Sequence, residues 1–152
     1  MKDRLDSVEN VTPEILEARK RWVAILRSKR YQRLTGNLST VTGKSRCCLG
    51  VACDPEVTGV VLETTTIETY TGSDRMAFIE NVVTYTEYLP PEIQKRLGFI
   101  YPDPNVFTAK GTSTVGDRAM RLSTLNDSGY MFSEIADDIE KTYITPYVEE
   151  YI

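Results

Sequence analysis

Val57-Thr58-Gly59-Val60-Val61-Leu62-Glu63-Thr64-Thr65-Thr66-Ile67-Glu68-Thr69-Tyr70 is rich in β-branched residues, and polar Thr71-Gly72-Ser73-Asp74 separates it from a second such run, Met76 to Tyr88. β-branched and aromatic side chains suit a pleated surface, and a polar cluster between two runs is turn chemistry, so the middle third predicts a β-hairpin or meander. Upstream, Thr12 suits an N-cap, Pro13 the first helical position and Glu14 the helix dipole, while Val11 is placed to staple against Leu16. Ile15, Ala18, Trp22, Ile25 and Leu26 recur at helical spacing and predict a helix near 13–29. Downstream, Leu89-Pro90-Pro91-Glu92 opens a short helix that stops at Gly98, and Tyr101-Pro102-Asp103-Pro104 is a loop. Lys110 to Gly116 looks mobile, Asp117 to Leu125 reads as a helix, Asn126-Asp127-Ser128-Gly129 as its stop, and Phe132 to Tyr143 as a further helix. Helices on both sides of a central strand region predict an α+β fold: an N-terminal helix and a C-terminal helical hairpin packed on a small, mostly antiparallel sheet. The chain reads as a single domain over residues 1–152, with neither an internal repeat nor a linker.

Composition narrows the function classes. Hydrophobic residues make up 41% of the 152, without any long apolar run, so no membrane partner is expected. The charged start, Met1-Lys2-Asp3-Arg4, is unlike a secretory signal, and three cysteines, two of them adjacent, suggest no disulfide framework, so a cytoplasmic protein is expected. The histidine count is zero, which removes the commonest general base and the commonest metal ligand together. Cys47, Cys48 and Cys53 match no zinc spacing, so buried thiols are the preferred reading; a catalytic cysteine activated by Arg46 would lack a base. No metal, no cofactor and no catalytic residue are assigned, and a non-enzymatic role is favoured.

Charge is the least uniform property. Nine basic residues and no acid lie between Arg19 and Arg46, half of the 18 in the chain. From Asp127 to Ile152 seven acids face one base, Lys141. The basic segment has two readings: a helix flank paired with the acidic C-terminal helices, or an anion site. In the second, Arg19, Arg27, Arg30, Arg33 and Arg46 supply guanidinium forks that match phosphate oxygens, and Trp22 or Tyr31 a flat surface to stack a base. Asn126 and Asp127 are expected to form the helical turn through local bonds.

Three motifs also carry a resemblance: Trp22-Val23-Ala24-Ile25-Leu26-Arg27-Ser28, Cys47-Cys48-Leu49-Gly50-Val51-Ala52-Cys53-Asp54, and Leu125-Asn126-Asp127-Ser128-Gly129 running on to Phe132-Ser133-Glu134-Ile135-Ala136-Asp137. As a set they resemble a family of small, mostly uncharacterised phage-encoded proteins, in which related chains tend to carry threonine where Met131 stands. The resemblance implies a viral genome rather than a reaction. Combined with the basic segment, it leads to one expectation: a phage accessory protein of the infected bacterial cytoplasm that sequesters a small anionic ligand, a nucleotide immune signal of the host. Alternatives are a nucleic-acid binder, disfavoured by the net charge of −4, a protein-protein inhibitor anchored by Tyr143, Tyr147 and Tyr151, and an enzyme degrading a nucleotide signal. A homo-oligomer could complete the pocket.

Overall fold

A computed structural model describes residues 5–71, 73–109 and 118–148. The first helix, α1 (Pro13–Arg27), begins where its capping chemistry predicts: Thr12 Oγ1 accepts the Ile15 amide at 3.2 Å and Pro13 takes the first turn. It ends two residues before the expected Lys29, because Ser28 closes the last turn on the Ile25 carbonyl and Lys29 adopts a left-handed φ of 63°. Short strands β1 (Gln32–Arg33), β2 (Ser39–Thr40) and β3 (Ser45–Arg46) follow. The cysteine run then forms the single-turn helix α2 (Cys48–Val51), capped by the Cys47 thiol accepting from the Gly50 amide, and Asp54 caps α3 (Pro55–Thr58).

The hairpin lies inside the predicted window, as β4 (Glu63–Ile67) and β5 (Arg75–Glu80), with β6 (Val83–Tyr85) returning after a tight turn at Asn81-Val82. Strand order is β1-β3-β2-β5-β4 with β6 also on β5, and β1–β3 is the parallel pair in an otherwise antiparallel sheet. Helix α4 (Pro91–Arg96) stops ahead of Gly98, whose φ is 71°.

The chain departs from its sequence reading after residue 117. The expected helix from Asp117 to Leu125 is instead strand β8 (Arg118–Arg121) followed by α5 (Leu122–Asp127). Antiparallel pairing with β7 (Asn105–Thr108) decides this, from Asn105 opposite Arg121 to Thr108 opposite Arg118, and overrides a helix propensity worth only tenths of a kcal/mol per residue, about 0.7 at most. The Lys110 to Gly116 stretch lies outside the described residues. Helix α6 (Phe132–Tyr143) starts without a cap oxygen at Met131. Half of the capping box survives, since Glu134 accepts the Met131 amide at 3.0 Å. A last turn, α7 (Thr145–Val148), completes the described chain.

The core forms where α1 meets α6, α2 and α4. Leu26, Leu49, Ile93, Leu97, Ile135 and Ile139 are buried there, and each such side chain contributes about 1.5–3 kcal/mol on burial. Trp22 is fully buried, gives its indole N–H to the Cys48 carbonyl at 3.0 Å, and meets Phe99 edge-on. The turn after α5 is closed by backbone, the Gly129 amide donating to the Asn126 carbonyl at 3.3 Å, and not by local side-chain bonds from Asn126 and Asp127. Asn126 Oδ1 accepts the Cys48 amide at 3.0 Å and its Nδ2 donates to the Leu34 carbonyl at 2.7 Å, while Asp127 accepts from Gly36, so the pair ties α5 to α2 and the loop after β1.

Candidate functional site

The seven nominated residues do not share a hollow. Arg19 and Trp22 are fully buried. Arg19 donates to the carbonyls of Leu97 (2.8 Å), Tyr143 (2.9 Å) and Gly98 (3.0 Å) and to the Ser7 hydroxyl (2.9 Å), within about 5 Å of the rings of Phe99, Tyr143 and Tyr147. Burial pulls its pKa down to about 10, which leaves the guanidinium charged at neutral pH. This packing also encloses Tyr143 and Tyr147, so neither is an exposed anchor, and Tyr151 lies outside the described residues.

The remaining basic groups divide between two places. Arg27 reaches Asp137 at 2.7 Å and Glu140 at 3.3 Å on α6, the pairing expected of a helix flank, and those hydrogen bonds raise its pKa. Arg30 turns instead to α3, pairing with Asp54 at 3.1 Å and Glu56 at 3.0 Å. The Tyr31 hydroxyl shares Asp54 at 2.5 Å; burial, then that bond, pushes the phenol up to about 12. Burial alone would raise the Asp54 carboxyl, but bonds from Tyr31, the Glu56 amide and Arg30 outweigh it and hold the group below the ordinary carboxylate range. Arg46 lies over the Tyr31 and Phe78 rings and donates to the carbonyls of Gly43 and Gly50. Arg33 donates to the Asn126 carbonyl at 2.9 Å. Arg30, Tyr31, Arg33 and Arg46 therefore cluster at the β1–β3 edge with every polar head engaged internally, apart from Arg27 and from the buried pair.

Cys47 is buried, which pushes its thiol up to about 11, and burial raises Cys48 and Cys53 as well. Neutral thiols at physiological pH are poor nucleophiles. Arg46 does not change this, its donors being turned to backbone carbonyls.

A concave site lies elsewhere. A cavity of about 320 Å³ is lined by Tyr88, Tyr101, Pro102, Asp103, Asn105 and Arg121, and a neighbouring hollow of about 220 Å³ shares Tyr88 as its wall. Its floor, the loop from Tyr101 to Asn105, is stapled from several directions. Leu89 N–H donates to the Pro102 carbonyl, Leu122 N–H to that of Pro104, and the Asn105 amide and side chain both donate to Asp6. Asp103 accepts from both the amide and the hydroxyl of Ser123. Burial raises the Asp103 carboxyl, against the opposing effects of Ser123 and the Arg121 charge.

Over this fixed floor stand Tyr88 and Tyr101, 44% and 56% exposed. Arg121, the last residue of β8, is exposed; its charge acts on the Asp103 carboxyl of the same cavity, but among the described residues its guanidinium has no hydrogen bond and no ion pair at contact distance. Two aromatic side chains and a guanidinium with its hydrogen-bond donors free, on a rigid base, can hold a planar anion by stacking and bidentate hydrogen bonds. Sequence reasoning passed over all three residues. Each is isolated in the chain, and only the β7–β8 pairing brings Arg121 against the proline loop.

No curated protein and no solved structure matches the chain. Residues 15–143 match a family described as a domain of unknown function, DUF8296, and the chain belongs to that family.

Proposed function

We propose that the protein binds and holds a small anionic ligand with a planar ring, of which a nucleotide is the natural example, in the cleft of Tyr88, Tyr101 and Arg121. One observation carries this reading: Arg121 is a cation without an internal hydrogen-bonding partner among the described residues, set beside two half-exposed tyrosines above a stapled loop. The nominated N-terminal arginines support it less, since each already has an internal partner.

Hydrogen bonds to charged groups contribute about 1.5–3 kcal/mol each, and stacking a base on an aromatic ring about 1–3 kcal/mol. Two of each give roughly 5–12 kcal/mol before association costs, against about 8 kcal/mol for micromolar affinity. A phage origin and the withholding of a host nucleotide immune signal in the infected cell rest on the motif resemblance and belong to the same proposal.

Isothermal titration against a panel of cyclic and ADP-ribose-type nucleotides tests it. Binding heat that disappears in Arg121→Gln and persists in Arg27→Gln supports the cleft, and recovery of intact ligand after denaturing the protein distinguishes holding from turnover. Folded protein that gives no heat with any of the panel refutes the reading. Loss in Arg27→Gln with retention in Arg121→Gln would return the site to α1.

A further inference from the structure

Strand β4 is bonded to β5 along one side, Glu63 opposite Ile79 through Ile67 opposite Arg75. Its other side meets no backbone partner among the described residues. Glu63, Thr64, Thr65 and Thr66 are all exposed, so neither face of the strand is covered. In an antiparallel ladder alternate residues turn N–H and C=O away from the existing neighbour, which makes this edge a template for a further strand. The usual protections are missing between Leu62 and Thr69: there is neither lysine nor proline, and the pairing with β5 has no bulge. Glu63, the first residue of β4, and Glu68, just past its end, are the only charges between Leu62 and Thr69.

We propose that two copies of this chain associate through β4, pairing antiparallel about a two-fold axis at Thr65. The charge pattern of the strand suits a second copy in this register. Thr65 opposite itself sets Thr64 against Thr66 and Glu63 against Ile67, and brings Glu68 to Leu62, so the carboxylates do not face each other. Parallel in-register stacking would set each glutamate beside its own copy, and like charges directly opposite are destabilising. A contact of this kind is isologous and closes on itself, ending at a dimer. Five strand residues per copy bury less than the roughly 1,200–2,000 Å² of a stable interface, so the dimer is concentration-dependent.

Sedimentation of the full chain over a wide concentration range tests this, together with two substitutions at the axis. Wild-type mass should rise from 17.2 kDa toward twice that value. Thr65→Lys, which sets two ammonium groups face to face, should hold the single-chain mass with an unchanged circular dichroism spectrum. Thr65→Cys should form a disulfide-linked dimer on mild oxidation, since Cα atoms paired across strands lie about 4.5–5.5 Å apart, within disulfide reach, and the native thiols are buried. Wild-type protein that stays at one chain's mass throughout overturns the proposal. So does a dimer that Thr65→Lys leaves intact, or the absence of a Thr65→Cys cross-link at concentrations where the wild type is dimeric.

Discussion

Replacing Arg19 by methionine should cost about 3–4 kcal/mol of folding stability. Methionine keeps most of the apolar stem and fills much of the space, so the loss is concentrated in the four hydrogen bonds. Two of the acceptors have other recourse: Gly98 O still receives the Val8 amide at 2.8 Å, and the Ser7 hydroxyl already donates to the Val8 carbonyl. The carbonyls of Leu97 and Tyr143 are left buried without the donor they had, at about 1–3 kcal/mol each. Relief from burying a guanidinium among Phe99, Tyr143 and Tyr147 returns part of that, and loss of the cation–π contacts removes a similar amount. With a urea slope of about 2 kcal/mol per molar, the midpoint should fall by roughly 1.5 M in equilibrium unfolding followed by tryptophan fluorescence. Arg19→Lys should recover only part of the loss, because a single ammonium cannot reach carbonyls that a planar fork spans. A midpoint shift below roughly 0.5 M would refute the reasoning. Full stability with abolished nucleotide binding would show Arg19 to be a ligand contact after all.

Three further outcomes follow from local geometry. Gly50→Ala should fail to fold or lose at least about 3 kcal/mol, since its Cβ would stand 1.8 Å from the Leu38 carbonyl oxygen, whereas Gly59→Ala, left-handed but in open space, should cost about 1 kcal/mol by thermal unfolding. Val82 sits at φ 61° and 97% exposed in the β5–β6 turn, a position suited to glycine; Val82→Gly should stabilise the protein by about 1 kcal/mol, and a lowered melting temperature would contradict the strain. Asp54 titrates in the folded state below its ordinary 3.8, so its contribution is complete above that value and is lost as the pH falls through the lower folded-state value. The stability difference between wild type and Asp54→Asn, measured in urea at neutral and at strongly acidic pH, should therefore shrink on acidification; a constant difference would show that the charge is not involved.

Local chemistry made α1, the β4–β5 hairpin, α4 and α6 legible, because a cap, a period or a proline announces each within a few residues. Strand β8 announces itself to nothing nearby. Its four residues have a helical composition and become extended only because β7, ten residues or more upstream, offers a ladder. The same distinction separates the arginines. Arg27 can be read as an ion pair because an acidic helix is expected to pack on a basic one, and it meets Asp137 and Glu140. Arg19, eight positions earlier on the same helix, falls at the edge of the apolar stripe, where the sequence alone allows either a solvated cation or a buried one.

What decides between those fates is whether a set of carbonyls awaits the guanidinium, and these come from Leu97, Gly98 and Tyr143, between 78 and 124 residues away. A basic run is thus a poor pointer to an anion site when the backbone can engage its donors. The converse criterion is more discriminating: a cation in a cleft, left without hydrogen-bond or ion-pair partners by the fold, is the one with donors to offer. Arg121 meets that criterion and the N-terminal arginines do not. If Arg121→Gln leaves nucleotide binding intact while the Tyr88 and Tyr101 alanine variants abolish it, stacking rather than charge would set affinity, and the ligand need not be an anion.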